Sequence, residues 1–100
     1  MKGRDKRHLR GLSHDLRPIV ELGQQGLRDS VVEALDQALD NYELVKVKIP
    51  ADRDERRTIA AQLTERTHSE LAGLVGHMAI IYRPARDPEK RKIKLPSSES

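Results

Sequence analysis

The sequence predicts a small α/β domain: three helices packed on a mixed β-sheet, in the order α-β-α-β-α-β-β. Three observations carry this expectation. Segments with apolar residues at helical spacing alternate with short apolar or alternating runs. Two passages read strand–helix–strand, which sets helices against the faces of the sheet and gives two or three layers. A chain of 100 residues has room for one hydrophobic core and no second.

Leu9, Leu12 and Leu16 lie at i, i+3 and i+7 and define the apolar face of the first helix, with Lys6, Arg7 and Arg10 projecting mostly from the other side. Pro18 ends that helix, because the residue before a proline is pushed out of the α region. Ile19, Val20 and Leu22 form a short strand, and Gly23-Gln24-Gln25-Gly26 turns the chain. Leu27, Val31, Leu35, Ala38 and Tyr42 share one face of the second helix. Near its start Ser30 and Glu33 have capping-box spacing, with Asp29 as the alternative cap. Leu44 to Ile49 alternates, Val45, Val47 and Ile49 on one face and Lys46 and Lys48 on the other, as in a half-buried strand that Pro50 ends. Asp52 to Thr67 is the third helix, with a thin apolar face of Ile59, Ala60 and Leu63. Leu71 to Val75 and Met78 to Tyr82 are the last strands, parted near Gly76-His77. Beyond Pro84 the chain turns polar, although Ile93 and Leu95 alternate with Lys92 and Lys94 as a short edge strand would. Residues 1–95 are thus expected to form a single domain, and 96–100 a disordered polar tail.

Composition removes several function classes. The chain has no Cys, Trp or Phe and only two Tyr, Tyr42 and Tyr82. A disulfide scaffold, a cysteine zinc site and a thiol nucleophile are excluded, and aromatic ladders for base stacking nearly so. His8, His14, His68 and His77 form no HExxH arrangement and have no carboxylates at metal-ligand spacing, so no metal or other cofactor is expected; His77, beside Gly76, is a candidate for burial. Asp52, Asp54 and Glu55 open a helix, where capping and the helix dipole account for them. No Ser sits in a nucleophile elbow. The expectation is a non-catalytic monomer with no small-molecule substrate. No apolar stretch follows the charged N-terminus and no run nears the ~18 residues of a membrane span, so a soluble, cytoplasmic protein without a membrane partner is expected.

The net charge of +3 conceals an uneven distribution: residues 1–17 carry +4, residues 18–82 carry −4 and residues 83–100 carry +3. Basic ends around an acidic middle suit a polyanionic partner, most often nucleic acid, or serve only solubility. The Gly23–Gly26 loop lies between a strand and a helix. Its glycines let the backbone turn and approach closely, and it opens onto a helix N-terminus, where unpaired N–H groups attract an anion. A phosphate clamp and an ordinary strand-to-helix turn both fit it. Gly73-Leu74-Val75-Gly76, with its apolar centre, reads as a tight turn or a close strand approach. Lys46, Lys48 and Arg83, with Lys6, Arg7, Arg10 and Arg17, could form one basic surface around the first loop, and Lys90, Arg91, Lys92 and Lys94 form a basic C-terminal arm.

Three segments in register carry a resemblance: Leu9 to Leu27 (LRGLSHDLRPIVELGQQGL), Tyr42 to Ile49 (YELVKVKI) and Gly76 to Pro84 (GHMAIIYRP). Together they resemble a CRM domain, and among its carriers the stand-alone bacterial YhbY proteins, from about residue 6 to residue 95. The resemblance implies an α/β fold similar to the C-terminal domain of translation initiation factor three. It also implies RNA binding and association with ribosomal RNA in large-subunit precursor particles. Its glycine loop falls on Gly23, Gln24, Gln25 and Gly26, and its basic surface on the first helix, Lys46, Lys48 and Arg83. Many relatives carry basic residues inside the loop where this chain has two Gln, which leaves backbone N–H groups and amides for the contact. A protein-interaction adaptor docking through the acidic second helix, Asp29 to Glu43, is the competing function.

Overall fold

The computed structural model describes residues 1–23 and 25–98. Its elements are α1 (Gly3–Ser13), β1 (Val20–Glu21), α2 (Asp29–Tyr42), β2 (Leu44–Lys48), α3 (Arg53–Thr67), β3 (Glu70–Val75) and β4 (Met78–Tyr82), in the expected order. The four strands form one mixed sheet, β1-β2-β4-β3, with β1 parallel to β2 and the other pairs antiparallel. Strand alternation sorts the core into two sides. Val45, Val47 and Ile81 face α2 and α3, where Leu35, Leu39, Ala60 and Leu63 meet them. Leu44, Ala72, Ile80 and Tyr82 face α1 and enclose Leu9. The architecture is therefore three-layered, and α1 lies mainly over β3. At the far edge of that face Ile19 and Glu21 are exposed, and Lys46 and Lys48 half-buried.

Local chemistry accounts for the element ends. Asp52 caps α3 by accepting from the Glu55 N–H at 2.9 Å. His68 ends it in the left-handed region. The β3–β4 pairing shifts register between Leu71 and Gly73, where a Cβ on Gly73 would lie 2.6 Å from the Arg10 Cδ. The second GxxG is thus a close approach of a side chain to backbone, followed by the hairpin turn.

Several expectations are corrected. The first helix stops at Ser13, well before Pro18: the Ser13 hydroxyl donates to the Arg10 carbonyl at 2.7 Å, and the Leu16 carbonyl is taken by the Lys46 ammonium at 2.9 Å. Leu9 alone of the three leucines is buried. The second helix begins at Asp29 with no side-chain cap, because its N-cap position is Arg28, which carries no side-chain acceptor; Asp29, in the first turn, meets the Arg66 guanidinium at 2.6 Å. His77 is exposed and meets Arg56. Ile93 and Leu95 pack against the α1-side core without joining the sheet. A 3-10 turn follows over Pro96–Ser98. It is held there because the buried Asp5 carboxylate accepts from both the Ser97 N–H and the Ser97 hydroxyl. Residues 99–100 lie outside the described residues.

Arg83 departs furthest from its expected role. It is 8% exposed. Its guanidinium donates to the Asp36 carboxylate at 2.6 Å, the Asp40 carboxylate at 2.9 Å, and the carbonyls of Thr67 and Asp36 at 2.8 and 2.9 Å. It ties α2 to the end of α3. Donation from Arg83 holds the Asp36 carboxyl below the ordinary carboxylate range. Because the folded value is depressed, the associated stability is complete above the unfolded carboxylate value of about 4 and is lost as pH falls through the folded value. Arg83→Met should lower stability by about 2–3 kcal/mol in urea unfolding at pH 7, since it strips several charge-assisted bonds at once. The same variant should lose less stability than the parent between pH 4 and pH 2, as measured by thermal melts.

Candidate nucleic-acid interface

The glycine loop is anchored by the sheet. Val20 and Glu21 pair with Val47 and Lys48, and the Leu22 N–H continues the ladder to the Lys48 carbonyl at 3.0 Å. Gly23 then starts a turn closed by the Gly26 N–H to the Gly23 carbonyl at 3.1 Å, with Gly26 at φ +75°, a region that favours glycine. Between this turn and the start of α2 lies a hollow of about 370 Å³ lined by Gly23, Gln25, Gly26, Arg28, Ser30 and Val31. Among the described residues no carboxylate lines it. Since no side chain caps α2, the positive end of the helix dipole is left beside the hollow with Arg28 at its rim. Gln24 lies outside the described residues.

Lys48 and Lys46 continue from the loop along the exposed side of β2. The Lys48 ammonium stands 3.7 Å from the Glu21 carboxylate, a long pairing between a half-buried and an exposed side chain, so it is weak. Lys46 reaches the other way, to the Leu16 carbonyl. There Leu12 of α1 and the segment after it, with Leu16, Arg17 and Ile19, form one wall of an open groove of about 480 Å³. Tyr42 and Ile93 complete it.

Ile93 is brought there by Glu43, the residue between α2 and β2. Glu43 is 2% exposed, yet its carboxylate accepts three backbone N–H groups: Ala85 at 2.8 Å, Lys92 at 2.6 Å and Ile93 at 3.2 Å. The basic C-terminal arm is thus clamped to the domain. Lys90, Arg91, Lys92 and Lys94 remain exposed on it, with the Arg91 Nε also donating to the Ala85 carbonyl at 2.9 Å.

Of the basic residues singled out in the sequence, the fold gathers Lys48, Lys46 and Arg17 on one edge with the loop, and brings the arm past the same groove. It directs Arg10 elsewhere: its guanidinium donates to the Ala72 carbonyl at 2.9 Å, on β3 at the opposite edge of the sheet from β1. Lys6 is half-buried and Arg7 exposed on α1. Arg28 escaped the sequence reading, although its position two residues after Gly26 and directly before a helix is a readable signal. Among the described residues no cluster of three His, Asp or Glu is placed to hold a metal ion, and no helix is long and apolar enough to cross a membrane.

The profile of the CRS1/YhbY (CRM) domain matches residues 1–83. The chain belongs to the CRS1/YhbY (CRM) family. It is similar to a Haemophilus influenzae RNA-binding protein, 37% identical over 93% of this chain and 92% of that protein. A Pseudomonas aeruginosa protein named a probable RNA-binding protein is 35% identical over 85% of this chain and 83% of its own length. The solution structure of a hypothetical Staphylococcus aureus protein, itself described as a candidate RNA binder, superposes with a TM-score of 0.85 at 35% identity, covering 96% of this chain and 99% of that one. Residues 84–98 of this CRM protein, beyond the profile match, are those clamped by Glu43 and Asp5. Glu43→Gln, which turns an amide NH2 toward N–H donors, should cost about 2 kcal/mol. It should also abolish hydrogen-exchange protection at the Lys92 and Ile93 amides while leaving β2 and β4 amides protected.

Proposed function

We propose that the protein binds RNA without catalysing a reaction, as a cytoplasmic monomer acting on ribosomal RNA in large-subunit precursor particles during ribosome assembly. The observation that carries the RNA reading is the hollow between the glycine loop and the uncapped start of α2, continued by Lys48 and Lys46 along β2. A phosphate seated there meets backbone N–H groups, Arg28 and the helix dipole, and successive phosphates meet the two lysines. Such contacts position a folded RNA without reading its sequence. The names of the relatives support RNA as the partner; the ribosomal target rests on the resemblance to the stand-alone YhbY proteins. An adaptor reading is less favoured, because Asp29, Asp36 and Asp40 of the acidic helix are already paired with Arg66, Arg83 and Arg86.

The test is binding to a structured large-subunit ribosomal RNA fragment across a salt series. With about six phosphates neutralised, log affinity should fall against log salt with a slope of roughly −4 to −5. Arg28→Ala and Lys48→Ala should each reduce the slope by about one and weaken binding on any sequence. A slope near zero overturns the reading.

Glu21→Gln should act in the opposite sense. It frees Lys48 from its carboxylate neighbour and should raise RNA affinity about two- to fivefold at low salt, the range expected of an exposed ion pair. The gain should fade as salt screens both charges.

A further inference from the structure

Four of the six large apolar side chains left exposed, Leu12 at 43%, Leu16 at 39%, Ile19 at 53% and Tyr42 at 61%, meet in the one groove beside β2. Resting on the RNA reading above, we propose that this groove takes one unpaired nucleotide of the bound RNA, its base against Tyr42 and the apolar floor and its phosphate toward Arg17 and Lys46.

Charge selects the occupant. Arg17 and Lys46 line the groove and, among the described residues, no carboxylate does; Glu43, next to Tyr42, has its oxygens turned to three backbone N–H groups instead. The ligand that complements a flat apolar floor with cations at its rim is an apolar-faced anion, and a nucleotide is one. Volume agrees: about 480 Å³ lies within the range of sites that hold small ligands. Continuity favours RNA over an acidic peptide. Lys46 is two residues from Lys48 on the same face of β2, about 7 Å along the strand, and Lys48 pairs with the residue that leads into the glycine loop. A backbone following the two lysines from the loop arrives at the groove. Aromatic supply limits the stoichiometry: Tyr82 is buried in the core, so Tyr42 is the one aromatic face open to a base. The preference is accordingly for a single unstacked nucleotide in an otherwise paired RNA.

The experiment compares a perfect RNA duplex with the same duplex carrying one bulged adenosine. The parent protein should bind the bulged duplex about 5- to 100-fold more tightly, the range that base–aromatic stacking supplies. Tyr42→Ala should lose that preference and keep its affinity for the perfect duplex, whereas Tyr42→Phe should retain both. Ile19→Glu, which sets a carboxylate in the groove at an exposed position, should lose the preference too. Unchanged melting temperatures check that the exposed substitutions leave the fold intact. Equal binding of the two duplexes by the parent protein, or a preference that survives Tyr42→Ala, overturns the proposal while leaving the RNA reading in place. No binding to either duplex removes both. An acidic amphipathic peptide that shifts the Leu12, Leu16 and Ile19 methyl resonances, while the bulged duplex leaves them unmoved, overturns the proposal and assigns the groove to a protein.

Discussion

The buried Glu43 carboxylate fastens the C-terminal arm to the junction of α2 and β2. It stands where α2 must stop and β2 begin, at φ +62°, outside the comfortable range of a non-glycine residue. Its N–H returns to the Leu39 carbonyl and its own carbonyl accepts the Arg83 N–H. A carboxylate taken out of water needs partners, and three backbone N–H groups of the C-terminal arm supply them. The arm is therefore laid across the domain: Ile93 reaches the groove, Leu95 reaches the α1-side core, and Ser97 reaches Asp5.

Asp5 repeats the device at the other end of that path. The carboxyl is buried on α1, and hydrogen bonds from Ser97 hold it below the ordinary carboxylate range. Two acidic residues thus fasten a basic segment through its backbone, which leaves the lysine side chains of the arm in solvent. Charge and tether are separated: the groups that hold the arm to the two carboxylates are backbone N–H groups and the Ser97 hydroxyl, and the ammonium groups stay available to a polyanion.

The acidic middle of the chain is spent in the same way. Asp36 and Asp40 close on Arg83, with Arg86 nearby, and Asp29 closes on Arg66. Compensated carboxylates repel a phosphate less than free ones. At the start of α2 the N-cap position is Arg28, which has no side-chain acceptor, so the helix end beside the glycine loop is left for another acceptor.

Local pattern determined the element order, the inward Val45 and Val47 against Lys46 and Lys48, the cap at Asp52 and the turn at Gly23 to Gly26, because periodicity, capping and proline or glycine punctuation act over a few residues. The CRM resemblance was legible for the same reason, as short motifs in register. Tertiary structure alone decided which charges remain free. Nothing near Arg83 in sequence marks it for burial, since Asp36 and Asp40 lie 47 and 43 residues away. Arg10 and Ala72 are 62 residues apart, and Asp5 and Ser97 are 92. The helical spacing of Leu9, Leu12 and Leu16 promised one buried face, yet the helix ends before Leu16 and the sheet covers only Leu9. Contacts across such separations leave no local trace, because they are set by how the layers meet.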